Sequence, residues 1–261
     1  KNHPNVLLVM IEGMSGGYFP SLSRYHGLDP TVTLASLEEN LRRHGFRLYR
    51  NSLSMERQTD RGTFAILCGA YPDFRRQSRK MVDVAEGRVV VDCMPKHLKE
   101  HGYRTAYWQA APLDYMQKGE FMPQAGFIDV TGAKIFNGPG EEVEGWGPPD
   151  PIYFNNVAQR LRQLDAKPGP WMVTLLNVGT HHPFKIGKEA EQQPPDDELN
   201  AEDITPEPQE ARKKAMKTME DALNQFLDDL ASDGILDDTL VIITSDESGG
   251  FIRKDHESMP L

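Results

Sequence analysis

Short apolar runs separated by helical patterns dominate the chain and predict an α/β fold. The runs show little alternation with polar residues, as expected of strands that are covered on both faces of a sheet. The segments between the runs repeat apolar residues with the spacing of helices. The predicted strands are residues 6–11, 105–108, 172–176 and 240–244, and the predicted helices are residues 34–44, 93–101, 155–165 and 211–230.

Strands that alternate with helices predict a mostly parallel central sheet with helices on both faces. We expect residues 1–261 to form a single catalytic domain, cut from a longer protein at its C-terminal end.

Two segments do not fit a packed core. Residues 188–209 are rich in Asp, Glu, Gln and Pro and predict a mobile acidic loop. Residues 137–151 are rich in Gly and Pro and predict an irregular excursion.

Composition narrows the class of partner. A hydrophobic fraction of 38% and a charged fraction of 26% are ordinary for a globular protein with a sizeable core. The net charge of -10 argues against nucleic acid as a partner. No apolar run reaches the roughly 18 residues that a membrane-spanning helix needs. The two cysteines, Cys68 and Cys93, cannot form a thiolate zinc site by themselves.

Polar side chains follow several of the predicted strands, at the point where each strand ends. In parallel sheets the ligand site lies beyond the carboxyl ends of the strands, so these residues are the first candidates for function. Glu12 follows the first predicted strand, and Gln109 follows the second. The residues after the third strand are Asn177, Thr180, His181 and His182, and those after the fourth are Asp246 and Glu247.

The carboxylates of Glu12, Asp246 and Glu247 are expected at one edge of the sheet. Clustered carboxylates repel one another unless a cation neutralises them. Ligands that are all oxygen favour Mg²⁺ or Mn²⁺, with Zn²⁺ as the alternative. Taken alone, Glu12 could instead cap a turn or pair with a buried arginine, and the Asp-Glu pair could be a simple turn. Of the adjacent His181 and His182, at most one faces the site in an extended segment.

The spaced motifs carry a family resemblance that covers most of the chain. They are NVLLVMIEGMS at residues 5–15, TDRGTFAILCGAYP at 59–72, KGEF at 118–121, WGPPD at 146–150, THHPF at 180–184 and TSDES at 244–248. With these motifs the chain resembles the sulfatase-like branch of the alkaline-phosphatase superfamily. The resemblance implies the fold of that superfamily and an enzymatic function.

The nucleophile motif departs from that of true sulfatases, which have the form C-x-P-S-R. Thr59 stands at the position of the nucleophile, and Arg61, Gly62 and Thr63 stand where Pro, Ser and Arg are expected. Sulfate ester hydrolysis is therefore not expected. A threonine nucleophile is similar to that of lipoteichoic acid synthases and of related phosphoglycerol or phosphoethanolamine transferases. Taken by itself, Thr59 could also be the N-cap of the helix that follows it.

The resemblance implies roles for individual residues. Thr59 would be the nucleophile, and His181 would hold a phosphate oxygen or donate a proton to the leaving group. Glu247 replaces the histidine of the family's Asp-His pair, and a carboxylate can also bind a divalent ion. The implied metal ligands are Glu12, Thr59, Asp246 and Glu247; the implied substrate contacts are Arg61, Lys118, Trp146, His181 and His256; and the implied disulfide joins Cys68 to Cys93.

Together these roles imply a metal-dependent transferase that moves a phosphoglycerol-type headgroup through a covalent Thr59 intermediate. The donor would be an anionic phospholipid and the acceptor a glycan or polyol. The parent protein would be extracytoplasmic and anchored in the membrane through segments absent from this chain. Two alternatives remain open at this point: a phosphodiesterase or phosphatase that uses water as acceptor, and a catalytically silent homologue that binds lipid or a partner protein. Lys118 could equally be a solvated surface lysine.

Overall fold

A computed structural model describes residues 3–54, 58–71, 81–89, 91–136, 146–181, 184 and 209–247. The strands within these residues are β1 (Asn5–Ile11), β2 (Arg104–Gln109), β3 (Asp129–Thr131), β4 (Trp171–Leu176) and β5 (Thr239–Ser245). The α-helices are α1 (Pro20–His26), α2 (Ala35–Arg43), α3 (Thr59–Cys68), α4 (Val82–Ala85), α5 (Met94–Glu100), α6 (Lys118–Gln124), α7 (Ala133–Phe136), α8 (Asp150–Asp165) and α9 (Gln209–Ser232).

The described strands form one sheet in the order β3-β2-β4-β1-β5, and every neighbouring pair is parallel. β1 lies between β4 and β5, with Val6 opposite both Met172 and Leu240. All seven residues of β1 are buried, as its unbroken apolar run indicates. The predicted parallel sheet is therefore confirmed.

The side chains of β1 alternate between two cores. Leu7, Val9 and Ile11 pack into a core with apolar residues of α1, α2, α8 and α9. Val6, Leu8 and Met10 pack into a second core with residues of α3, α4 and α6. Burial of each such side chain contributes about 1.5–3 kcal/mol relative to exposure. Helices thus cover both faces of the sheet, as the sequence predicts.

Element boundaries differ from the sequence prediction in two instructive places. Helix α8 begins at Asp150, five residues earlier than predicted. Its second residue is Pro151, which the first turn of a helix tolerates because the amides there donate to no helical carbonyl. Strand β3 has only three residues, Asp129–Thr131, and so was too short for its periodicity to reveal.

A disulfide joins the C-terminal end of α3 to the start of α5. Its cysteines are Cys68, the last residue of α3, and Cys93, the residue before α5. The bond ties the helix that begins at Thr59 to the neighbouring helix on the same face of the sheet.

Strand β5 lies at the edge of the sheet formed by the described strands. Its residues Leu240 and Ile242 are 53% and 40% exposed, although the run has the apolar character of an interior strand. Within the described ranges, no helix is long and apolar enough to cross a membrane. Residues 188–208 of the predicted acidic loop lie outside the described residues, and Gln209 begins α9.

Candidate active site

The carboxyl ends of β1 and β5 bring two predicted metal ligands together. Ile11 and Ser245 are partners in register, so Glu12 and Asp246 directly follow neighbouring strands at the same edge. The Gly13 amide donates a hydrogen bond of 3.1 Å to Asp246 Oδ1. Both carboxyl groups are buried.

Thr59 lies against this pair at the start of α3. Its hydroxyl donates a hydrogen bond of 3.3 Å to Glu12 Oε2, and the side chain is buried. The helix N-cap is Gln58 and Thr59 is the first helical residue, so the alternative of Thr59 as the N-cap is wrong. The free amides at a helix N-terminus favour an anion, which suits a phosphate beside the hydroxyl.

Gly62 allows α3 to approach the end of β5. A Cβ atom at this position would overlap the carbonyl oxygen of Asp246. Because a glycine has no Cβ, the helix that carries Thr59 can touch the segment that carries Asp246. In the sequence, Gly62 stands out only as a departure from the sulfatase motif, because close packing of this kind leaves no local signal.

The acidic groups of the site destabilise one another's charge. Burial, followed by the charge of Glu12, raises the pKa of Asp246 well above its ordinary value. Burial, with the charges of Glu12 and Asp246, raises the pKa of Glu247 to about 10. Asp246 Oδ2 is buried and has no hydrogen-bond partner among the described groups. This environment favours a neutralising cation.

Lys118 supplies positive charge next to these carboxylates. It is 2% exposed, so the alternative of a solvated surface lysine is wrong. Burial lowers its pKa, and the charges of Asp246 and Glu12 oppose that shift. The two preceding residues, Met116 and Gln117, have φ angles of 57° and 50°, in the left-handed region that costs free energy for residues with side chains. This strained turn directly precedes Lys118, whose ammonium group lies at the site.

Asp60 is a further buried acid that the sequence analysis missed. Its carboxylate accepts a hydrogen bond of 2.9 Å from the Arg61 amide. Burial raises its pKa, while that hydrogen bond and the charge of Lys118 oppose the rise. The adjacent Arg61 is half-buried, and its Nε donates to Gln58 Oε1 at 3.1 Å. In the sequence, Asp60 is marked only by its place directly after Thr59.

The donors present fit part of the coordination sphere of a divalent ion. Glu12, Asp246 and Thr59 present oxygen atoms at one place, and Asp246 Oδ2 lacks another partner within the described chain. In their present positions, no group of three or more His, Cys, Asp or Glu side chains among the described residues is arranged to hold a metal ion. Glu247 therefore does not complete a three-carboxylate cage here, although its charge is coupled to the other two.

An aromatic cluster, formed by Tyr115, Trp146 and His181, unites two of the predicted substrate contacts. The ring centroids of Trp146 and His181 lie 4.8 Å apart, and those of Tyr115 and Trp146 lie 4.7 Å apart. Tyr115 also meets His181 edge-on, with centroids 6.5 Å apart. Tyr115 was missed because its ring contacts are with residues that lie far away in the sequence. His182 and His256 lie outside the described residues.

Sequence comparison finds similarity to known families. A family model described as Sulfatase matches residues 4–258. Phosphoglycerol transferase I of Xanthomonas campestris pv. campestris (strain B100) is 29% identical over 130 residues. The aligned stretch covers 47% of this chain and 18% of that protein, so the chain matches about a fifth of the length of this relative.

Solved structures share the fold. The lipoteichoic acid synthase LtaP of Listeria monocytogenes has a TM-score of 0.72 at 20% identity, over 97% of this chain and 58% of that chain. A protein in the alkaline phosphatase superfamily from Vibrio parahaemolyticus has a TM-score of 0.71 at 21% identity, over 95% of this chain and 55% of that chain. At these identities the likeness establishes the architecture of the sheet and helices.

Proposed function

Because the chain belongs to the sulfatase family, we propose that it is a metal-dependent transferase with Thr59 as nucleophile. It moves a phosphoglycerol-type headgroup from an anionic phospholipid to a glycan or polyol. The similarity to a phosphoglycerol transferase and to a lipoteichoic acid synthase supports this choice over sulfate ester hydrolysis. In this proposal residues 1–261 form a single sulfatase-like catalytic domain.

The observation that carries the proposal is the hydrogen bond from the Thr59 hydroxyl to Glu12. It places a hydroxyl at a helix N-terminus, within a buried acidic site that also contains the Lys118 ammonium. A nucleophilic hydroxyl needs a neighbouring group that takes its proton and a positive field that receives the phosphate. Both are within this arrangement.

The reaction proceeds by two displacements at phosphorus. Thr59 Oγ1 forms a bond to phosphorus, the bond from phosphorus to the diacylglycerol oxygen breaks, and Glu12 accepts the hydroxyl proton. His181 donates a proton to the leaving diacylglycerol oxygen. In the second step the acceptor hydroxyl attacks phosphorus and gives its proton to His181. The Thr59 oxygen leaves and recovers a proton from Glu12.

Glu12, Asp246 and Thr59 would hold one divalent ion. When bound, Mn²⁺ or Mg²⁺ would polarise the Thr59 hydroxyl and neutralise the phosphate charge. Lys118 would hold a phosphate oxygen beside these carboxylates. Without compensating positive charge, the buried acids of the site would repel an anionic phosphodiester.

The disulfide supports a location outside the cytoplasmic membrane. Disulfides such as Cys68–Cys93 persist in oxidising compartments and are rare in the cytosol. The lipid donor and the glycan acceptor are both available at the outer face of a membrane or in the periplasm. The aromatic cluster of Tyr115, Trp146 and His181 offers ring faces beside which a polyol can bind.

The test is to incubate the protein with phosphatidylglycerol and Mn²⁺ and to measure its intact mass. We expect a covalent phosphoglycerol adduct in the wild type that peptide mapping places on Thr59. The adduct is expected to be absent in Thr59→Val and present in Thr63→Val. Thr63 is a matched control because it is buried one turn along the same helix and its hydroxyl has no partner within the described residues.

The outcomes separate the candidate functions. An adduct that is discharged by added glucan supports transfer, and one that is discharged equally fast by water alone supports a phosphodiesterase. Failure of the wild type to form an adduct or to bind Mn²⁺, Mg²⁺ or Zn²⁺ in calorimetry would contradict the proposal and favour a catalytically silent homologue.

A further inference from the structure

The loop after β4 binds both backbone polar groups of Glu12. The Glu12 amide donates a hydrogen bond of 2.8 Å to Asn177 Oδ1. The Thr180 hydroxyl donates a hydrogen bond of 2.7 Å to the Glu12 carbonyl oxygen. All of these groups are buried. Residues more than 160 positions away in the chain therefore hold the peptide that carries the acidic side chain at the site.

The orientation of the Asn177 amide is fixed by its own donors. Asn177 Nδ2 donates to Asp150 Oδ2 at 3.1 Å and to Thr180 Oγ1 at 3.2 Å. A flipped amide would turn an N–H group toward the Glu12 amide and an oxygen toward the Asp150 carboxylate. Both contacts would be repulsive, so Oδ1 faces Glu12.

Asp150 is in turn fixed at the start of α8. Its Oδ1 accepts a hydrogen bond of 3.2 Å from the Gly179 amide. A Cβ atom at position 179 would lie 2.5 Å from Asp150 Oδ2, so only glycine lets the carboxyl group lie under the loop. Burial raises the pKa of Asp150 to about 6, and the hydrogen bonds from Asn177 and Gly179 limit the rise.

We propose that Asp150, Asn177 and Thr180 are positioning residues. Together they form a clamp, which holds the peptide of Glu12 and thereby directs the Glu12 carboxylate toward Thr59. The proposal rests on the function proposed above, in which Glu12 binds the metal and takes the Thr59 proton. Groups that orient a metal ligand from outside the coordination sphere typically change metal affinity by 10–100-fold when they are removed.

The same loop carries a second functional side chain. His181 directly follows Thr180, and its ring packs on Trp146. Trp146 lies four residues before Asp150 in the segment that leads into α8. The clamp therefore fixes the aromatic cluster and the Glu12 carboxylate relative to one another.

The experiment compares Thr180→Val with Thr180→Ser and with Thr174→Val. Valine has nearly the shape of threonine and removes the hydroxyl, and serine keeps the hydroxyl. Thr174 is the matched control, because it lies buried in the adjoining strand β4 and its hydroxyl has no partner within the described chain. Asp150→Asn is a second variant. It replaces one of the two carboxylate oxygens that accept hydrogen bonds from Asn177 and Gly179.

Two quantities are measured on each protein: hydrogen exchange of the Glu12 amide by NMR without added metal, and the dissociation constant of Mn²⁺ by calorimetry. We expect Thr180→Val and Asp150→Asn to speed Glu12 exchange selectively and to weaken Mn²⁺ binding by about tenfold. Thr180→Ser and Thr174→Val are expected to stay within about twofold of wild type for both quantities.

Unchanged Glu12 exchange in Thr180→Val would overturn the clamp, and so would an equal increase of exchange throughout the sheet, which marks a general loss of stability. Selective exchange with unchanged Mn²⁺ affinity would overturn its role in aiming the carboxylate. If the wild type binds no metal while Glu12 exchange responds as expected, the clamp is supported and the proposed metal-dependent function is wrong.

Discussion

The Thr59 hydroxyl donates a hydrogen bond to the Glu12 carboxylate across 47 positions of sequence. The contact exists because α3 begins against the end of β1, in the space that Gly62 leaves open at the end of β5. One helix start and two strand ends thus define the candidate site.

Replacing Thr59 by serine is expected to preserve part of the activity. Serine keeps the hydroxyl that Glu12 accepts from, but it loses the methyl group that restricts the rotamer. We expect transfer to slow by about tenfold in Thr59→Ser and by about 10³-fold or more in Thr59→Val. Rates of headgroup release from phosphatidylglycerol would show this, and equal rates in the two variants would argue against a nucleophilic role.

Gly62→Ala is expected to push α3 away from β5. The new methyl group would overlap the Asp246 carbonyl oxygen, so either α3 or the end of β5 must shift. We expect the free energy of unfolding to fall by about 1–3 kcal/mol, with weaker metal binding. Gly119→Ala is the control, because a Cβ there meets Leu113 atoms at ordinary contact distances of 3.6 Å and 3.8 Å. Equal urea midpoints for the two variants would contradict the close approach.

Lys118→Met is expected to strengthen metal binding while it slows transfer. The ammonium competes electrostatically with a divalent ion for the charges of Glu12 and Asp246, so its removal lowers the dissociation constant of Mn²⁺. The same change removes the phosphate contact proposed for Lys118, so we expect KM for the lipid donor to rise by about tenfold. Lys99→Met, at an exposed position, is the control for loss of one positive charge. Weaker Mn²⁺ binding in Lys118→Met would show that the lysine supports the ion instead.

The stability of the protein is expected to carry a pH dependence from Asp150. Its pKa is about 6 in the folded protein, against an ordinary value of 3.8. The folded state therefore binds this proton more tightly, and the resulting stabilisation is present at low pH and is lost as pH rises from about 4 to about 6. The loss amounts to about 3 kcal/mol. Urea unfolding between these pH values should show a flatter profile for Asp150→Asn, and parallel profiles would contradict the assignment.

Reduction of the disulfide is expected to destabilise the protein without removing the site. Cys68 and Cys93 are separated by 25 positions, and a cross-link over such a loop contributes about 3 kcal/mol. The Cys68→Ser, Cys93→Ser double variant should unfold at a lower urea concentration. Thr59 lies at the opposite end of α3, so Mn²⁺ affinity should be retained at temperatures where the variant is folded. Loss of Mn²⁺ binding in the folded variant would show that the bond also orders the start of the helix.

The sequence was most informative where function coincides with the end of an apolar strand. Glu12 and Asp246 follow β1 and β5, and the parallel pairing of those strands brings them together. Any sequence with this alternation of strands and helices directs attention to the same edge. The boundaries of β1 and β5 could be predicted for the same reason, because long apolar runs are a strong local signal.

Other parts of the site depend on contacts that local patterns do not encode. Lys118 follows two residues with φ angles in the left-handed region, and Tyr115 contacts Trp146 and His181, which lie far along the chain. Asp60 is buried although it is the second residue of α3. Charged residues are exposed on average, so composition and periodicity predict exposure for Lys118 and Asp60, which are buried.

The position of β1 in the sheet also affects how the protein folds. Its partners are β4 and β5, so Val6 pairs with Met172 and Leu240. Both partners follow β1 by more than 160 positions, and contacts of such long range form slowly. The apolar strand β1 therefore stays unpaired in the sheet until these distant segments reach it. The site needs Glu12 at the end of β1 and Asp246 at the end of β5, so it can assemble only after this long-range pairing has formed.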